Sequence, residues 1–256
     1  MHQFLLFFLM VPVLLFSYVD SDMDGVEDKD DICPNTLMTD LVDLKGCTIK
    51  SLLSPHHFVV MAGTSYAQDS DSSYIFSTLE LDYYFKKFSL QLSSSYYDLT
   101  TDISNNEGLN DSSINLFYRF NPLENFSLKV GAGLLIPTYD SVDNKTDYTT
   151  SLYGRYYFDK WSLSTGLGYK FVGDTNASNV VFYNVSVAHN WSSKFYSSLG
   201  YYVSESIYED VDNFESLSLY NYYSMDKNWF GTLTLTQGIS SESLDNSLGV
   251  KLGYYW

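Results

Sequence analysis

From about Pro55 to its end, the chain alternates apolar residues with small or polar residues in segments of about ten. Residues 161–171 place Trp, Leu, Thr, Leu, Tyr and Phe on one face, with Ser, Ser, Gly, Gly and Lys on the other. Residues 126–136 follow the same parity. Successive side chains of a β-strand point to opposite faces. Each segment therefore predicts a strand with one apolar face, suited to lipid, and one polar face, suited to water.

Twelve such strands are predicted, near residues 57–67, 74–85, 88–99, 114–121, 126–138, 148–158, 161–172, 180–191, 195–204, 214–225, 229–238 and 247–256. Short turns alternate with mostly longer polar loops, of which Thr101 to Ser113 is the longest. This pattern resembles bacterial outer-membrane β-barrels of the porin type. The resemblance implies an all-β fold, a transmembrane antiparallel barrel of about 12 strands over residues 56–256, with both termini in the periplasm.

Aromatic residues favour the same interpretation, because interfacial rings gather at both boundaries of a membrane barrel. All four tryptophans, at positions 161, 191, 229 and 256, fall beside a short turn or the C-terminus. A girdle at the other boundary would include Tyr96, Tyr169, Tyr183 and Tyr201. Tyrosine doublets can also be core residues of a soluble β protein, which stays open as an alternative.

The last strand, residues 247–256, alternates apolar residues up to Trp256. It resembles the C-terminal β-signal that the barrel-assembly machinery reads, with Trp in place of the commoner Phe. The alternative is an ordinary edge strand, although an edge this apolar would promote aggregation of a soluble protein.

The N-terminus predicts export. Phe4 to Phe16 is an apolar run too short to span a bilayer comfortably as a helix, and acidic sequence follows at once. We interpret residues 1–17 as a signal peptide, although its start has no Lys or Arg. A buried N-terminal strand or helix is the alternative. Export and the barrel pattern together predict a bacterial outer-membrane location with the N-terminal segment in the periplasm.

The acidic segment after the signal has the ligand spacing of an EF-hand-type calcium loop. Positions 1, 3, 5, 7, 9 and 12 of that loop are Asp20, Asp22, Asp24, Val26, Asp28 and Asp31. Gly25 at position 6 permits the sharp turn, after which Val26 offers its carbonyl oxygen. Asp rather than Glu at position 12 shortens the reach of the closing ligand.

Residues 33–36 then read Cys-Pro-Asn-Thr, and residues 42–47 read Val-Asp-Leu-Lys-Gly-Cys. Together with the aspartates, this resembles the thrombospondin type 3 calcium repeat, over Asp20 to Cys47 only. The resemblance implies that residues 18–50 form a periplasmic calcium-binding segment, with calcium as the cofactor; an acidic disordered tether is the alternative. Cys33 and Cys47 are the only cysteines, so an exported chain allows one intramolecular disulfide between them.

Charge excludes one class of partner. The 256 residues carry 31 acidic and 14 basic side chains, a formal net charge of −17. Such a charge excludes a nucleic-acid-binding protein that holds its partner by a general basic surface, so we expect no nucleic acid among the partners. The predicted outer loops are acidic, with Asp102, Glu107, Asp111, Glu209, Asp210 and Asp212 among them. The barrel resemblance implies outer-membrane lipid and lipopolysaccharide as the surroundings.

Inward-facing charge is sparse and mostly basic. Strand parity turns seven charged residues into the predicted pore: Glu80, Asp82, Arg119, Lys129, Arg155, Lys170 and Lys251. Four basic residues lie on consecutive predicted strands, so they could form one wall that favours anions, as in the twelve-stranded acidic-oligosaccharide porins. A salt-bridged plug in a closed barrel is the alternative.

No enzyme site emerges from the sequence. No histidine lies at an outer strand end, and no Gly-x-Ser-x-Gly elbow is present. We therefore predict a non-enzymatic barrel, a passive channel or porin for small solutes, with anions as candidates. The alternative is a barrel that transports nothing, anchors the calcium-binding segment and displays acidic loops for adhesion.

Overall fold

The computed structural model describes residues 20–22, 26–36, 42–48, 56–70, 72–101, 103–139, 144–174, 176–208 and 210–256. The strands within these ranges are β1 His56–Asp69, β2 Ser72–Phe85, β3 Phe88–Thr101, β4 Asn105–Leu109, β5 Ser112–Leu123, β6 Phe126–Ile136, β7 Asp147–Phe158, β8 Trp161–Phe171, β9 Val180–Ser192, β10 Phe195–Ser204, β11 Phe214–Ser224, β12 Trp229–Gly238 and β13 Asn246–Tyr255. Among the described residues, no helix is long and apolar enough to cross a membrane.

The sheet closes on itself. Neighbouring strands pair antiparallel in chain order, and β1 pairs with both β2 and β13. Closure satisfies the backbone of every edge, which a sheet in lipid requires. The predicted fold class, an antiparallel barrel of about 12 strands, is confirmed.

The thirteenth strand, β4, extends one of the twelve. Both β4 and β5 pair with β3, and the register shifts by one residue between the Ser93–Ser113 pair and the Tyr96–Leu109 pair. An irregularity at residues 110–111 therefore separates β4 from β5 along one interrupted strand. The prediction of a loop from Thr101 to Ser113 is wrong, because most of that segment lengthens the hairpin of β3.

The two ends of the barrel differ. At one end, which we call the turn end, the connections are residues 86–87, 124–125, 159–160, 193–194 and 225–228, and both ends of the barrel segment, His56 and Trp256, lie there. At the other, the loop end, β6 to β13 are joined by connections such as residues 137–146, 172–179 and 205–213.

The outer face of the barrel is apolar. Leu79, Leu116, Leu167 and Leu199 are each about half exposed, because their side chains point away from the barrel axis. All four tryptophans lie at the turn end and are exposed on this face, as the sequence predicts. Such a face suits lipid contact in a transmembrane barrel.

The N-terminal segment contains the predicted disulfide. Cys33 and Cys47 are bonded, and Val42 forms an isolated bridge with Thr48. The Thr36 hydroxyl lies 2.8 Å from the Cys33 carbonyl oxygen and 2.7 Å from that of Gly46, which ties the two ends of the closed loop together. The predicted signal peptide, residues 1–17, lies outside the described residues.

Candidate solute pathway in the barrel lumen

A layer of tyrosines packs inside one side of the barrel, near the turn end. Val59, Tyr222 and Phe230 are buried at its centre. The side chains packed against them are Met61, Tyr84, Tyr196, Tyr220 and Tyr255. These residues come from β10 to β13, β1 and β2, which are six adjacent strands. We call this group the tyrosine layer.

Ring contacts hold the tyrosine layer together. Tyr222 stacks on Phe230 with ring centroids 5.2 Å apart, and Tyr255 lies 4.6 Å from Phe230. Such aromatic pairs stabilise by about 0.5–1.5 kcal/mol each beyond their buried area. Beside the layer, the Lys251 ammonium forms an ion pair with Glu80. Aromatic packing and this ion pair occupy the part of the interior of these six strands that is nearer the turn end.

Basic residues line the other side of the interior. Arg119 and Lys129 face each other in the β5–β6 pair, and Arg155 lies on the adjoining strand β7. The Lys129 ammonium sits 4.3 Å from the ring centre of Phe117 and 4.9 Å from that of Tyr153. These cation–π contacts fix the ammonium beside the wall without neutralising its charge.

Asp82 lies between the two sides. Its carboxylate is almost fully buried and accepts a hydrogen bond from the Tyr84 hydroxyl at 3.1 Å. It also binds the Gln91 side chain and interacts electrostatically with Lys129. Asp82 therefore joins the tyrosine layer to the basic residues.

Lys170 does not belong to the same cluster. It lies near the loop end of β8, six residues beyond Ser164, the partner of Arg155, which is roughly 20 Å along a strand. Its ammonium lies 3.7 Å from a carboxylate oxygen of Asp147. The expected wall of four basic residues is therefore a cluster of three near the turn end and a separate lysine near the loop end.

Glycines allow aromatic rings to lie along the wall. A Cβ built at Gly131 would overlap the Phe117 ring, one at Gly166 would meet Tyr153, and one at Gly168 would overlap Phe182. None of these glycines has a positive φ, so space rather than backbone conformation requires them. The rings occupy positions next to the backbone that a side chain at 131, 166 or 168 would otherwise take.

Sequence reasoning missed several lumen residues. Gln91, Tyr153, Phe182 and Tyr202 all face inward but were not among the predicted pore residues. Strand parity alone could have found them, because each alternates with lipid-facing neighbours. The seven charged residues that the sequence did select all lie at inward-facing positions of their strands.

The predicted calcium ligands are only partly described. Asp28 accepts hydrogen bonds from the Ser21 amide and hydroxyl, at 2.6 and 2.7 Å. The Asp22 carboxylate accepts the Thr36 amide at 2.6 Å, and the Asp31 carboxylate accepts the Cys33 amide at 2.8 Å. Within the described part of the segment, no three acidic, His or Cys side chains gather as a metal site would need, and Asp24 lies outside it.

Residues 58–224 match the sequence profile of a family described as "Putative MetA-pathway of phenol degradation". The chain belongs to this family. No curated protein sequence matches the chain.

Solved structures share the fold of this family member. An outer membrane channel from Pseudomonas putida F1 superposes with a TM-score of 0.62 at 10% identity, over 78% of this chain and 94% of that one. The NanC porin superposes with a TM-score of 0.58 at 11% identity, over 76% of this chain and 98% of that one. The KdgM porin superposes with a TM-score of 0.54 at 15% identity, over 77% of this chain and 98% of that one. At such low identities, the comparison establishes the porin-like barrel fold alone.

Proposed function

We propose that the protein is a passive outer-membrane channel for small solutes and that it favours anions. The observation that carries the proposal is the unequal filling of the barrel. Near the turn end, the tyrosine layer packs one side of the interior, whereas the inner face of β5 to β8 bears three cations and glycines that let the rings of Phe117 and Tyr153 lie flat along the wall. The shared fold with outer-membrane channels and porins supports the same function.

Electrostatics inside the barrel supports an anion preference. Arg119, Lys129 and Arg155 concentrate positive charge near the turn end, with Asp82 as the nearby acid. The acidic loops would oppose anions at the loop end. Charges on solvated loops are screened within about 10 Å at 0.1 M salt, whereas a narrow interior screens less, so the interior should decide selectivity.

Planar-bilayer recording tests the proposal. Purified protein should form conducting channels whose reversal potential in a KCl gradient indicates chloride preference. Changing both Arg155→Gln and Lys170→Gln should reduce that preference. A conducting parent that prefers potassium would contradict the anion assignment. No conductance at all would favour the anchoring or adhesion barrel, which the dense tyrosine layer makes the second candidate.

We also propose that the turn end faces the periplasm and that lipopolysaccharide and outer-membrane lipid surround the barrel. The short turns and the tryptophans at one end support this orientation. The barrel-assembly machinery is the proposed partner of β13, whose Leu248, Val250 and Leu252 face outward beside β1. Removal of Tyr254 to Trp256 should then leave unassembled chain in the periplasm.

Calcium binding by the N-terminal segment is a separate proposal. The spacing of Asp20, Asp22, Asp24, Val26, Asp28 and Asp31 supports it, and the nearly complete burial of Asp20 is consistent with a ligand position. Calorimetry should detect calcium binding by the full-length protein. The variant with Asp20, Asp22 and Asp24 changed to Asn should not bind calcium, while its barrel assembles normally. Equal heats from both proteins, or none from the parent, would contradict a calcium site here.

A further inference from the structure

A cavity of about 240 Å³ opens in the lumen near the loop end. Its wall includes Lys170, Val180, Phe182, Tyr202, Ser113 and Thr149. We call it the loop-end chamber. Pockets for drug-sized ligands span roughly 300–1,000 Å³, so this chamber suits a smaller molecule.

One side of the chamber is apolar. Val180 is almost fully buried, and Leu135 and Phe182 lie beside it. The outer edge of the Phe182 ring lies against Gly168, which keeps that ring next to the barrel wall. Tyr202 adds a second ring from β10. This side can cover an apolar molecular body from water.

The other side carries one cation and several hydroxyl or amide groups. The Lys170 ammonium lies 3.7 Å from Asp147, beyond the 2.7–3.2 Å range of N–H···O hydrogen bonds, so its N–H donors can reach a further anion. Asp147 is itself fixed, because it accepts the Gly173 amide at 2.8 Å. Ser113 and Asn115 bind each other at 3.3 Å beside Thr149.

We infer that the loop-end chamber binds small monocarboxylates with an apolar body, their carboxylate at Lys170 and their body against Val180 and Phe182. This inference rests on the proposed channel function and adds the solute class. A neutral hydrocarbon would desolvate the Lys170 ammonium without supplying a hydrogen-bond acceptor or a negative charge in return. An acidic sugar would bring several of its hydroxyls against Val180, Leu135 and Phe182, whose side chains offer no hydrogen-bond partner.

Current block in planar bilayers tests the inference with three probes of different chemistry. Benzoate has the charge and the apolar body, benzamide has the body alone, and gluconate has the charge on a polar body. Added on the loop side, benzoate should reduce chloride current at a concentration about tenfold lower than either other probe, equivalent to about 1.4 kcal/mol.

Variants locate the block. Lys170→Gln should raise the half-blocking concentration of benzoate about tenfold, because the carboxylate loses its cation. Asp147→Asn keeps an acceptor for the Gly173 amide but removes the competing charge, so it should lower that concentration. Lys227→Gln removes one positive charge from a turn at the far end and should leave the block unchanged.

The outcomes separate the chamber from the channel. If the protein conducts but all three probes block equally, or if Lys170→Gln does not change the block, the proposed monocarboxylate site is wrong. The proposed channel function is then unaffected. Without conduction the channel proposal fails, and calorimetry in detergent then decides the chamber. Benzoate binding that Lys170→Gln weakens would support a chamber in a closed barrel, and its absence would overturn it.

Discussion

The outer edge of the Phe182 ring on β9 occupies the space that a Cβ of residue 168 on β8 would need. Gly168 has no positive φ, so alanine there is acceptable to the backbone. The three atoms nearest to a Cβ at position 168 all belong to the far end of the Phe182 ring, which χ rotation can move. An added methyl group should therefore displace the ring toward the loop-end chamber rather than prevent folding.

Gly168→Ala should accordingly lower single-channel conductance and weaken benzoate block, at a stability loss of about 1 kcal/mol from crowding. Conductance and urea unfolding of the variant measure both effects. Gly154→Ala is the matched control, because its Cβ would meet Phe126 and Leu128 at ordinary distances of 3.5 and 3.6 Å. Loss of conductance in both variants alike would contradict a local role for Phe182.

The barrel could be predicted from periodicity because the alternation of apolar and polar residues within each strand identifies its two faces without reference to other strands. The segment from Trp161 to Phe171 alternates throughout, and the structure forms β8 over those residues. Strand β4 could not be predicted in this way. Its sequence, Asn-Asn-Glu-Gly-Leu, has no apolar alternation, and it pairs with β3 alone, beyond the irregularity that separates it from β5. This strand forms because its backbone hydrogen-bonds to the long neighbouring strand β3. The sequence of β4 itself carries no pattern that would reveal this pairing.

The interior was less predictable than the fold. Parity identified Lys129, Arg155 and Lys170 as inward-facing, but their heights in the barrel depend on strand register, which places Lys170 far from the other two. The tyrosine layer was missed for a related reason. Tyr84 and Tyr255 are far apart in sequence and meet only because β1 closes the barrel between β2 and β13.

Glu80→Gln should destabilise the barrel by about 1–3 kcal/mol, because it leaves the partly buried Lys251 ammonium without its acid. The double change Glu80→Gln with Lys251→Gln should recover part of that loss, since no charge then remains unpaired. Urea unfolding of the parent, both single variants and the double variant in lipid vesicles gives the coupling energy. Strictly additive losses would show that the pair contributes nothing to stability.

Asp226 should make the stability of the β11–β12 turn depend on pH. Its carboxylate accepts the amides of Trp229 and Asn228, both at 2.8 Å. These hydrogen bonds lower the pKa of Asp226 in the folded protein. Because the folded pKa is depressed, the stabilisation is complete above the ordinary value of about 3.9 and disappears as pH falls through the lower folded value.

Asp226→Ala should therefore speed hydrogen exchange of the Trp229 amide relative to the parent at pH 7, and the two proteins should converge well below the lowered pKa. Exchange rates are compared after correction for intrinsic pH effects. Asp226→Asn retains an acceptor without the charge, so its difference from Asp226→Ala should not change with pH. Equal exchange in the parent and Asp226→Ala at pH 7 would contradict the assigned role.

Single cysteines test which end of the barrel faces outward. Both native cysteines are joined in the disulfide, so an introduced thiol is labelled without a native background. Asn106 lies on the exposed extension β4 and Asp210 lies in a connection at the loop end, whereas Lys160 lies in a turn at the opposite end. A membrane-impermeant maleimide should label Asn106→Cys and Asp210→Cys on intact cells, and Lys160→Cys only after the outer membrane is permeabilised. Because the barrel fixes all three positions relative to one another, labelling of Lys160→Cys alone on intact cells would invert the orientation, and labelling of all three would be incompatible with a membrane-spanning barrel.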